Sequence, residues 1–197
     1  MRLCQMVSAL GTSRRRLNSA PALRGGRLSS RDTMVRLIAY DRRVFEAYER
    51  GARRLGWASA VKNREIGHLW IKDTLVHILN VHESLLIAVG QGRREVWKDP
   101  ARKRENIKSW QDLRRYRERV WNGIDDLTAR LTNAKLRRVA KVPWFSGRYT
   151  LEDVILQSSF EQAHHLGEII AAYWQMDKSP PQMVFIPTML GLRTSTR

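Results

Sequence analysis

Four stretches of this chain carry apolar residues at steps of three and four, which is the spacing of amphipathic helices. They cover residues 34–57, 71–89, 110–131 and 150–175, and Gly56 ends or kinks the first of them. A chain of 197 residues is long enough for one domain with a packed core. The pattern therefore predicts an all-α fold, a four-helix bundle.

The connections between these helices differ in kind. Residues 91–109 are polar, highly charged and contain Pro100, so they predict a long crossover between the second and third helices. Residues 136–150 alternate apolar and basic side chains around a Ser-Gly turn, which predicts a short β-hairpin before the fourth helix. The proline-containing segment after the fourth helix is expected to be extended, with the apolar residues 183–186 packed on the bundle or on a second subunit.

The first 33 residues lack apolar periodicity and hold seven arginines but a single acid, Asp32. This composition is typical of a transit-like peptide, of a flexible basic arm, or of translated upstream sequence with Met34 as the true start. The last interpretation is favoured because the helical pattern begins at Met34. In each case residues 1–33 are expected to be disordered. The rest of the chain is expected to form a bundle over residues 34–190 and a tail over residues 191–197.

The net charge of +17 first suggests a nucleic acid or an anionic surface as the partner. However, residues 1–33 contribute +6 of this excess, and the basic cluster Arg102, Lys103 and Arg104 lies in the long connection, where simple solvation explains it. Binding to nucleic acid is therefore not favoured. The longest apolar runs are far shorter than the roughly 20 residues of a membrane span, so no membrane partner is expected.

The chain has a single cysteine, Cys4, near its start. An internal disulfide and a cysteine-rich zinc site are therefore both excluded. This cysteine content fits a reducing compartment, and a cytoplasmic location is expected. The sequence also has no convincing Ser-His-Asp arrangement, phosphate-binding glycine loop or separate pair of catalytic carboxylates.

The fourth helix carries the clearest candidate chemistry. Thr150 is a plausible N-cap, with Asp153 three positions later, and further along the helix Glu161 and His165 are four residues apart. At this spacing the two side chains point the same way and can hold two corners of a metal's coordination sphere. A third ligand would come from a facing helix. The alternative is a weak pair on a solvated face, but the small residues nearby, such as Gly167, favour a closely packed neighbour.

The other histidines are weaker candidates when each is considered alone. On the second helix, His77 lies near the inward edge of the apolar stripe, and His82 is about 140° further around the helix, so the two do not easily share one ion. His68 is expected to be a solvated residue of the connector between the first and second helices. His164 is turned about 100° from its neighbour His165, so it is expected to support the site or to contact another helix.

Several strings of the sequence resemble one family. IKDTLVHILNVHE is similar to the second helix of the DinB-like (YfiT-like) four-helix-bundle metalloproteins, and YTLEDVILQSSFEQAHHLGEIIAAYWQ resembles their last helix. SAVKNREIGHLW is similar to the family's connector, and PPQMVFI looks like its C-terminal segment. These short motifs occur in the family's order over residues 34–190.

The resemblance implies a metal site with one histidine on the second helix and two on the last, four residues apart. These positions fall on His77, Glu161 and His165, so this chain departs from the family at Glu161. A His₂Glu set is still a competent set of zinc ligands, and the carboxylate favours harder ions such as Mn²⁺ or Fe²⁺ somewhat more. The same change could equally mark a weakened or abandoned site, and His164 is the alternative ligand if Glu161 points outward.

The resemblance also implies what such a site would do. It predicts one divalent ion (Zn, Ni, Fe or Mn), a homodimer, and a metal-dependent hydrolase or thiol-dependent transferase that acts on an unknown small molecule. The alternative is a non-catalytic basic helical bundle whose histidines are structural and whose partner is another macromolecule.

Overall fold

The computed structural model describes residues 29–93 and 104–185. Within these ranges four long helices form the bundle that the sequence predicted, and a two-stranded hairpin precedes the last of them. The helices are α1 (Ser30–Leu55), α2 (Trp57–Ala60), α3 (Ile71–His82, continued by a π-helical segment, Glu83–Val89), α4 (Trp110–Ala129), α5 (Asn133–Leu136) and α6 (Leu151–Gln175). The strands are β1 (Val139–Ala140) and β2 (Tyr149–Thr150).

Helix α1 begins at Ser30, four residues before the expected start at Met34. Ser29 caps it, since its hydroxyl oxygen accepts a hydrogen bond from the backbone N–H of Asp32 (3.3 Å), and the Arg31 Nε donates to the Leu131 carbonyl (2.9 Å). The helix therefore extends into the segment that the sequence suggested was disordered. Residues 1–28 of that segment lie outside the described ranges.

The core is one cluster to which all four long helices contribute. The apolar residues at helical spacing within residues 110–131, the third predicted helix, are buried: Leu113, Tyr116, Val120, Ile124, Leu127 and Leu131. Helix α3 packs most extensively against α6. Fully buried side chains from each helix meet at the centre: Phe45, Tyr48, Leu75, Leu79, Leu113, Ile124, Ile155 and Leu166. This packing fixes the relative positions of α3 and α6, the two helices that carry the candidate ligands.

A buried polar network crosses the same core. The His82 ring contacts Ser158 Oγ through Nδ1 (2.7 Å) and Gln162 Oε1 through Nε2 (2.8 Å). Gln162 Nε2 in turn donates to the Asp41 carbonyl oxygen (2.9 Å), and the Ser159 hydroxyl donates to the Asp41 carboxylate (2.5 Å). Because these bonds join α1, α3 and α6, they set the register of α6 one turn before His165.

The second predicted helix extends to Val89 as expected, but it widens after His82. Its last residues adopt π-helical geometry, and the Gly90 N–H bonds to the Leu85 carbonyl five residues earlier (3.0 Å). The crossover that follows is described only in part, because residues 94–103, with most of the expected basic cluster, lie outside the described ranges. Its end returns to α3, where Lys72 Nζ donates to the Arg104 carbonyl (3.0 Å).

The predicted hairpin is present, although its paired segment is short. Val139 lies opposite Thr150 and Ala140 opposite Tyr149 in an antiparallel pair. Thr150 then caps α6 reciprocally with Asp153, as expected: the Thr150 hydroxyl accepts from the Asp153 N–H (3.2 Å) and the Asp153 carboxylate accepts from the Thr150 N–H (2.7 Å). After α6 the chain is extended, and Phe185 packs on Tyr40 with ring centroids 5.0 Å apart. Residues 186–197 lie outside the described ranges.

Candidate metal centre

Three histidines from three parts of the chain meet beside the α3–α6 contact. His68, His77 and His165 each offer one ring nitrogen, and these nitrogens lie within 4.8 Å of one another. The ring centroids are 4.0 Å apart for His68 and His77, 4.3 Å for His77 and His165, and 5.1 Å for His68 and His165. Three imidazoles so close together form a cluster of potential metal ligands.

Two of these histidines were expected at a site. His77 is half-buried on α3, one turn after the fully buried Thr74, and His165 is buried in the middle of α6. The facing positions of the two helices bring the imidazoles together, as the family resemblance implied.

His68 was expected to be a solvated connector residue, and this expectation is wrong. Its ring is half-buried against the other two imidazoles. The connector backbone holds it there through two short turns, in which Leu69 N–H bonds to the Ile66 carbonyl (2.6 Å) and Trp70 N–H bonds to the His68 carbonyl (2.7 Å). Periodicity gave no sign of this residue because it does not lie on a helix.

The residue after His68 has an unusual conformation. Leu69 adopts φ +65°, a left-handed conformation that costs a residue with a β-carbon roughly 1–2 kcal/mol. The side chain of Leu69 is about half exposed (49%), so core packing does not compensate for this cost. The strain is concentrated next to a candidate ligand, which is where such strain is commonly found in proteins.

A carboxylate next to the cluster orients His165. Glu168 Oε2 lies 3.1 Å from His165 Nδ1, which leaves the Nε2 atom of the ring available to a ligand. Glu168 also packs against Gly67, where an added β-carbon would lie only 2.0 Å from Glu168 Oε1. The absence of a side chain at Gly67 therefore lets the connector approach α6 closely and bring His68 to the cluster.

Glu161 lies beside the histidine cluster but not within it. Its Oε2 is 3.5 Å from His165 Nε2, and its Oε1 accepts a hydrogen bond from Gln157 Nε2 (2.8 Å). Two ligands of one tetrahedral ion are separated by about 3.4 Å when each lies about 2.1 Å from the ion, so this separation is compatible with a shared ion. The side chain is one-third exposed (33%). The set His77, Glu161 and His165 therefore remains a prediction, and His68 is the donor that the sequence did not identify.

The two other histidines have different surroundings. His164 is largely exposed, with Nε2 3.6 Å from Glu168 Oε1, and together with His165 and Glu168 it forms a second, outer group of potential ligands. His82 is fully buried, and both of its ring nitrogens are engaged by Ser158 and Gln162. This agrees with the expectation that His77 and His82 do not bind one ion together.

The electrostatics of the cluster keep His77 and His68 neutral. Burial is the main cause that lowers the pKa of His77 from 6.5 to about 3, and the nearby His68, His165 and Arg104 contribute to the same shift. Burial, followed by the proximity of His165, also lowers the pKa of His68. A metal binds the neutral imidazole, so the site holds these ligands in the required protonation state at neutral pH.

The donor set therefore fits a divalent transition-metal ion. Neutral imidazoles suit Zn, Ni and Fe, and the neighbouring Glu161 carboxylate would add affinity for harder ions such as Mn. The His165–Glu168 contact supplies the carboxylate partner that most metal-binding histidines have.

The fold and this cluster define a four-helix bundle with a candidate metal centre between two of its helices. A family model described as the DinB superfamily matches residues 70–169, and the chain belongs to that superfamily. No curated protein sequence matches the chain significantly. None of the helices in residues 29–93 and 104–185 is both long enough and apolar enough to cross a membrane.

Proposed function

We propose that this protein binds one divalent metal ion through His77, Glu161 and His165, with His68 as an additional donor, and that it is a metal-dependent enzyme. The observation that supports this best is the convergence of three ring nitrogens from α3, α6 and the connector within 4.8 Å. Three neutral imidazoles in contact add little to the stability of the folded protein by themselves. A cation bound between them would stabilise the folded protein through its binding free energy.

A pocket next to these residues offers room for a substrate. It has a volume of about 410 Å³ and is lined by His77 and Glu161 together with residues of α3, α6 and the hairpin loop. This is within the size range of small-molecule sites. Hydrolysis and thiol-dependent group transfer are the two reaction types that the resemblance to DinB-like metalloproteins implies, and both use a nucleophile at a metal.

The residues around the site have separable roles in this proposal. A bound divalent ion supplies Lewis acidity for an oxygen or sulfur nucleophile. Glu168 holds Nδ1 of His165 and so fixes which nitrogen faces the site, while Gln157 holds one oxygen of Glu161 and leaves the other directed toward His165. Both contacts are built within α6, so the orientation of the ligands does not depend on the metal.

Single substitutions test the ligand assignment. We expect His77→Ala, His165→Ala and His68→Ala each to lower zinc affinity by more than the roughly 10–100-fold that follows loss of an outer partner, because each removes a donor. Glu161→Gln is expected to do the same if the carboxylate is a ligand. The measurement is a competition titration of metal-free protein against a chromophoric zinc chelator.

Glu152→Gln, a carboxylate substitution in the same helix as Glu161 but in its first turn, is the matched control and should leave zinc affinity unchanged. A parent-like affinity in both His77→Ala and His165→Ala would contradict the assignment. A parent-like affinity in His68→Ala alone would remove only the additional donor.

We also propose that the protein is a homodimer that pairs through α6. The outward side of this helix carries a line of residues without Lys, Arg, Asp or Glu, at alternating steps of four and three, which we call the outer stripe: Phe160, His164, Gly167, Ala171 and Trp174. The two aromatic side chains are 67% and 69% exposed, and the space around Gly167 is open. Helices with exposed apolar faces usually bury them against a partner.

The outer stripe is self-complementary. Phe160 precedes Gly167 by seven residues and Trp174 follows it by seven, so two antiparallel copies crossing at Gly167 would pair each Phe160 with Trp174 of the other copy. We expect Trp174→Ser to weaken the dimer roughly 1000-fold, because two aromatic anchors of about 2 kcal/mol each are lost per dimer. Sedimentation velocity measures this, with Trp144→Ser, an exposed tryptophan on the hairpin, as the control. A monomeric parent would overturn the proposal.

A further inference from the structure

The pocket beside the candidate metal centre continues into a second one. A space of about 420 Å³ adjoins it, and the two have Leu85, Phe145 and Gln157 in common in their walls. We refer to the two pockets together as the groove. It runs beneath the hairpin loop, with α6 as its floor and the π-helical segment after α3 along one side.

The groove is lined mainly by apolar surface, and the candidate metal ligands His77 and Glu161 lie at one end of it. Polar side chains lie at the end next to His77, where the lining includes Asn80, Ser84 and Glu161. The far end has no candidate metal ligand, and its walls combine Tyr149, Asp153 and Gln157 with a larger apolar set: Leu85, Val142, Phe145, Val154, Leu156 and Phe160. A ligand that reaches from the candidate metal centre to the far end therefore needs a metal-binding group at one end and a mainly apolar remainder.

The groove has the length of an extended tail. Its lining follows α6 from Glu161 back to Val154, which corresponds to about 10 Å at 1.5 Å per residue. Phe145 stands at the junction of the two pockets and is 43% exposed, so an aromatic side wall is already in place where an apolar tail would lie.

The charge of the lining excludes one large class of tails. Among the described residues that line the groove there is no lysine or arginine, although the chain as a whole carries a net charge of +17. Among the described lining residues, the charged groups are the carboxylates of Glu161 and Asp153. A phosphorylated or nucleotide tail would find no cationic partner there and would be repelled.

We infer that the substrate is an amphipathic small molecule with a metal-binding polar head and an uncharged apolar tail, such as a medium-length acyl or alkyl chain. This inference rests on the proposed metal-dependent function for the placement of the head. The tail is recognised by the far end of the groove, and its contribution depends only on residues that are not candidate ligands.

A homologous series of straight-chain hydroxamates tests the inference on zinc-loaded protein. Acetohydroxamate, butanohydroxamate, hexanohydroxamate and octanohydroxamate have the same chelating head, and calorimetry gives the affinity of each. We expect an increase of about four-fold for each methylene that enters the groove, which corresponds to about 0.8 kcal/mol per buried methylene. Phe145→Ser should flatten this dependence without changing zinc affinity. Val139→Ser removes an exposed apolar residue of the same hairpin outside the groove, and it should leave the dependence of affinity on chain length unchanged.

A second series of ligands tests tail recognition independently of metal binding. Butanol, hexanol and octanol have no chelating head, and their binding to metal-free protein reports on the groove alone. If the protein binds no zinc but the alcohols show a length dependence that Phe145→Ser removes, the proposed function fails and tail recognition stands. If zinc binds but neither series depends on chain length, or if Phe145→Ser leaves the dependence intact, the inference is overturned.

Discussion

Arg117→Ala is expected to destabilise the protein by about 3–5 kcal/mol, because it leaves a buried carboxylate without its counter-charge. Glu49 on α1 is 1% exposed, and its Oε2 lies 2.5 Å from Nη1 of Arg117 on α4. Its other oxygen has no hydrogen-bond partner among the described residues. Chemical denaturation with urea measures the loss as a decrease in the free energy of unfolding.

The same helix offers a matched control for this prediction. Arg114 pairs with Glu118 at 2.8 Å, but both side chains are largely exposed, so Arg114→Ala should leave the free energy of unfolding almost unchanged. Replacing both buried partners with apolar residues, Arg117→Met with Glu49→Leu, should restore most of the stability. An equal, small effect of Arg117→Ala and Arg114→Ala would show that the buried pair does not hold α1 against α4.

Asp41→Asn is expected to stabilise the protein above neutral pH by up to about 4 kcal/mol. Burial raises the pKa of Asp41 from 3.8 to about 7, although the hydrogen bond from the Ser159 hydroxyl opposes this. The folded protein thus keeps the proton up to about pH 7, while the unfolded chain releases it near pH 3.8. The contribution of Asp41 to stability is therefore full below about pH 4 and is lost as the pH rises to 7.

The comparison must be made as a difference between the variant and the parent at each pH. Burial lowers the pKa of His82 from 6.5 to about 4, so His82 destabilises the folded protein as the pH falls below 6.5 and partly masks the opposite trend of Asp41. Urea denaturation at pH 5 and pH 8 should show a small advantage for Asp41→Asn at pH 5 and a large one at pH 8. Asp125→Asn, an exposed aspartate paired with Arg42, is the control for simple charge removal. A pH-independent difference for Asp41→Asn would contradict the prediction.

The long helices could be predicted from the sequence because each buries one periodic apolar face. The capping residues were visible too: Thr150 and Asp153 form the predicted reciprocal cap, and Gly56 ends α1 with φ +85°. The start of α1 at Ser30 was missed, although Ser29 and Asp32 have the same cap spacing. The arginine-rich composition of this segment obscured the capping signal of Ser29 and Asp32. Tertiary contacts, such as the hydrogen bond from Arg31 to the Leu131 carbonyl, also favour the helical conformation there.

The candidate site could be predicted only where its residues lie on helices. Glu161 and His165 were singled out because helical spacing fixes the direction of their side chains, whereas His77 was assigned only through the resemblance to DinB-like metalloproteins. His68 was missed because its position depends on two short turns, a left-handed Leu69 and the contact of Gly67 with Glu168, which no periodicity reveals. The π-helical widening after His82 could not be predicted either, because it does not change the pattern of apolar residues along the second helix. Residues of this widened segment, such as Ser84 and Leu85, line the groove.

The buried network links the stability of the fold to the geometry of the site. Gln162 bonds to both His82 and Asp41, and His165 follows it on α6 by three residues. The rotation of α6 that presents His165 to His77 is therefore fixed by polar contacts that are not part of the site. Substitutions in this network are expected to alter metal affinity as well as stability, in proportion to how far they let α6 turn.

The central claim, that the histidine cluster is a metal site, is tested most directly by metal content. Protein purified without a histidine tag is analysed by inductively coupled plasma mass spectrometry, beside the His77→Ala/His165→Ala double variant. We expect close to one divalent ion per chain in the parent and none in the folded double variant. The absence of metal from both, even after reconstitution with Zn²⁺, Ni²⁺, Fe²⁺ and Mn²⁺, would contradict it. In that case polyanion binding that falls steeply with salt would instead support the basic binding module.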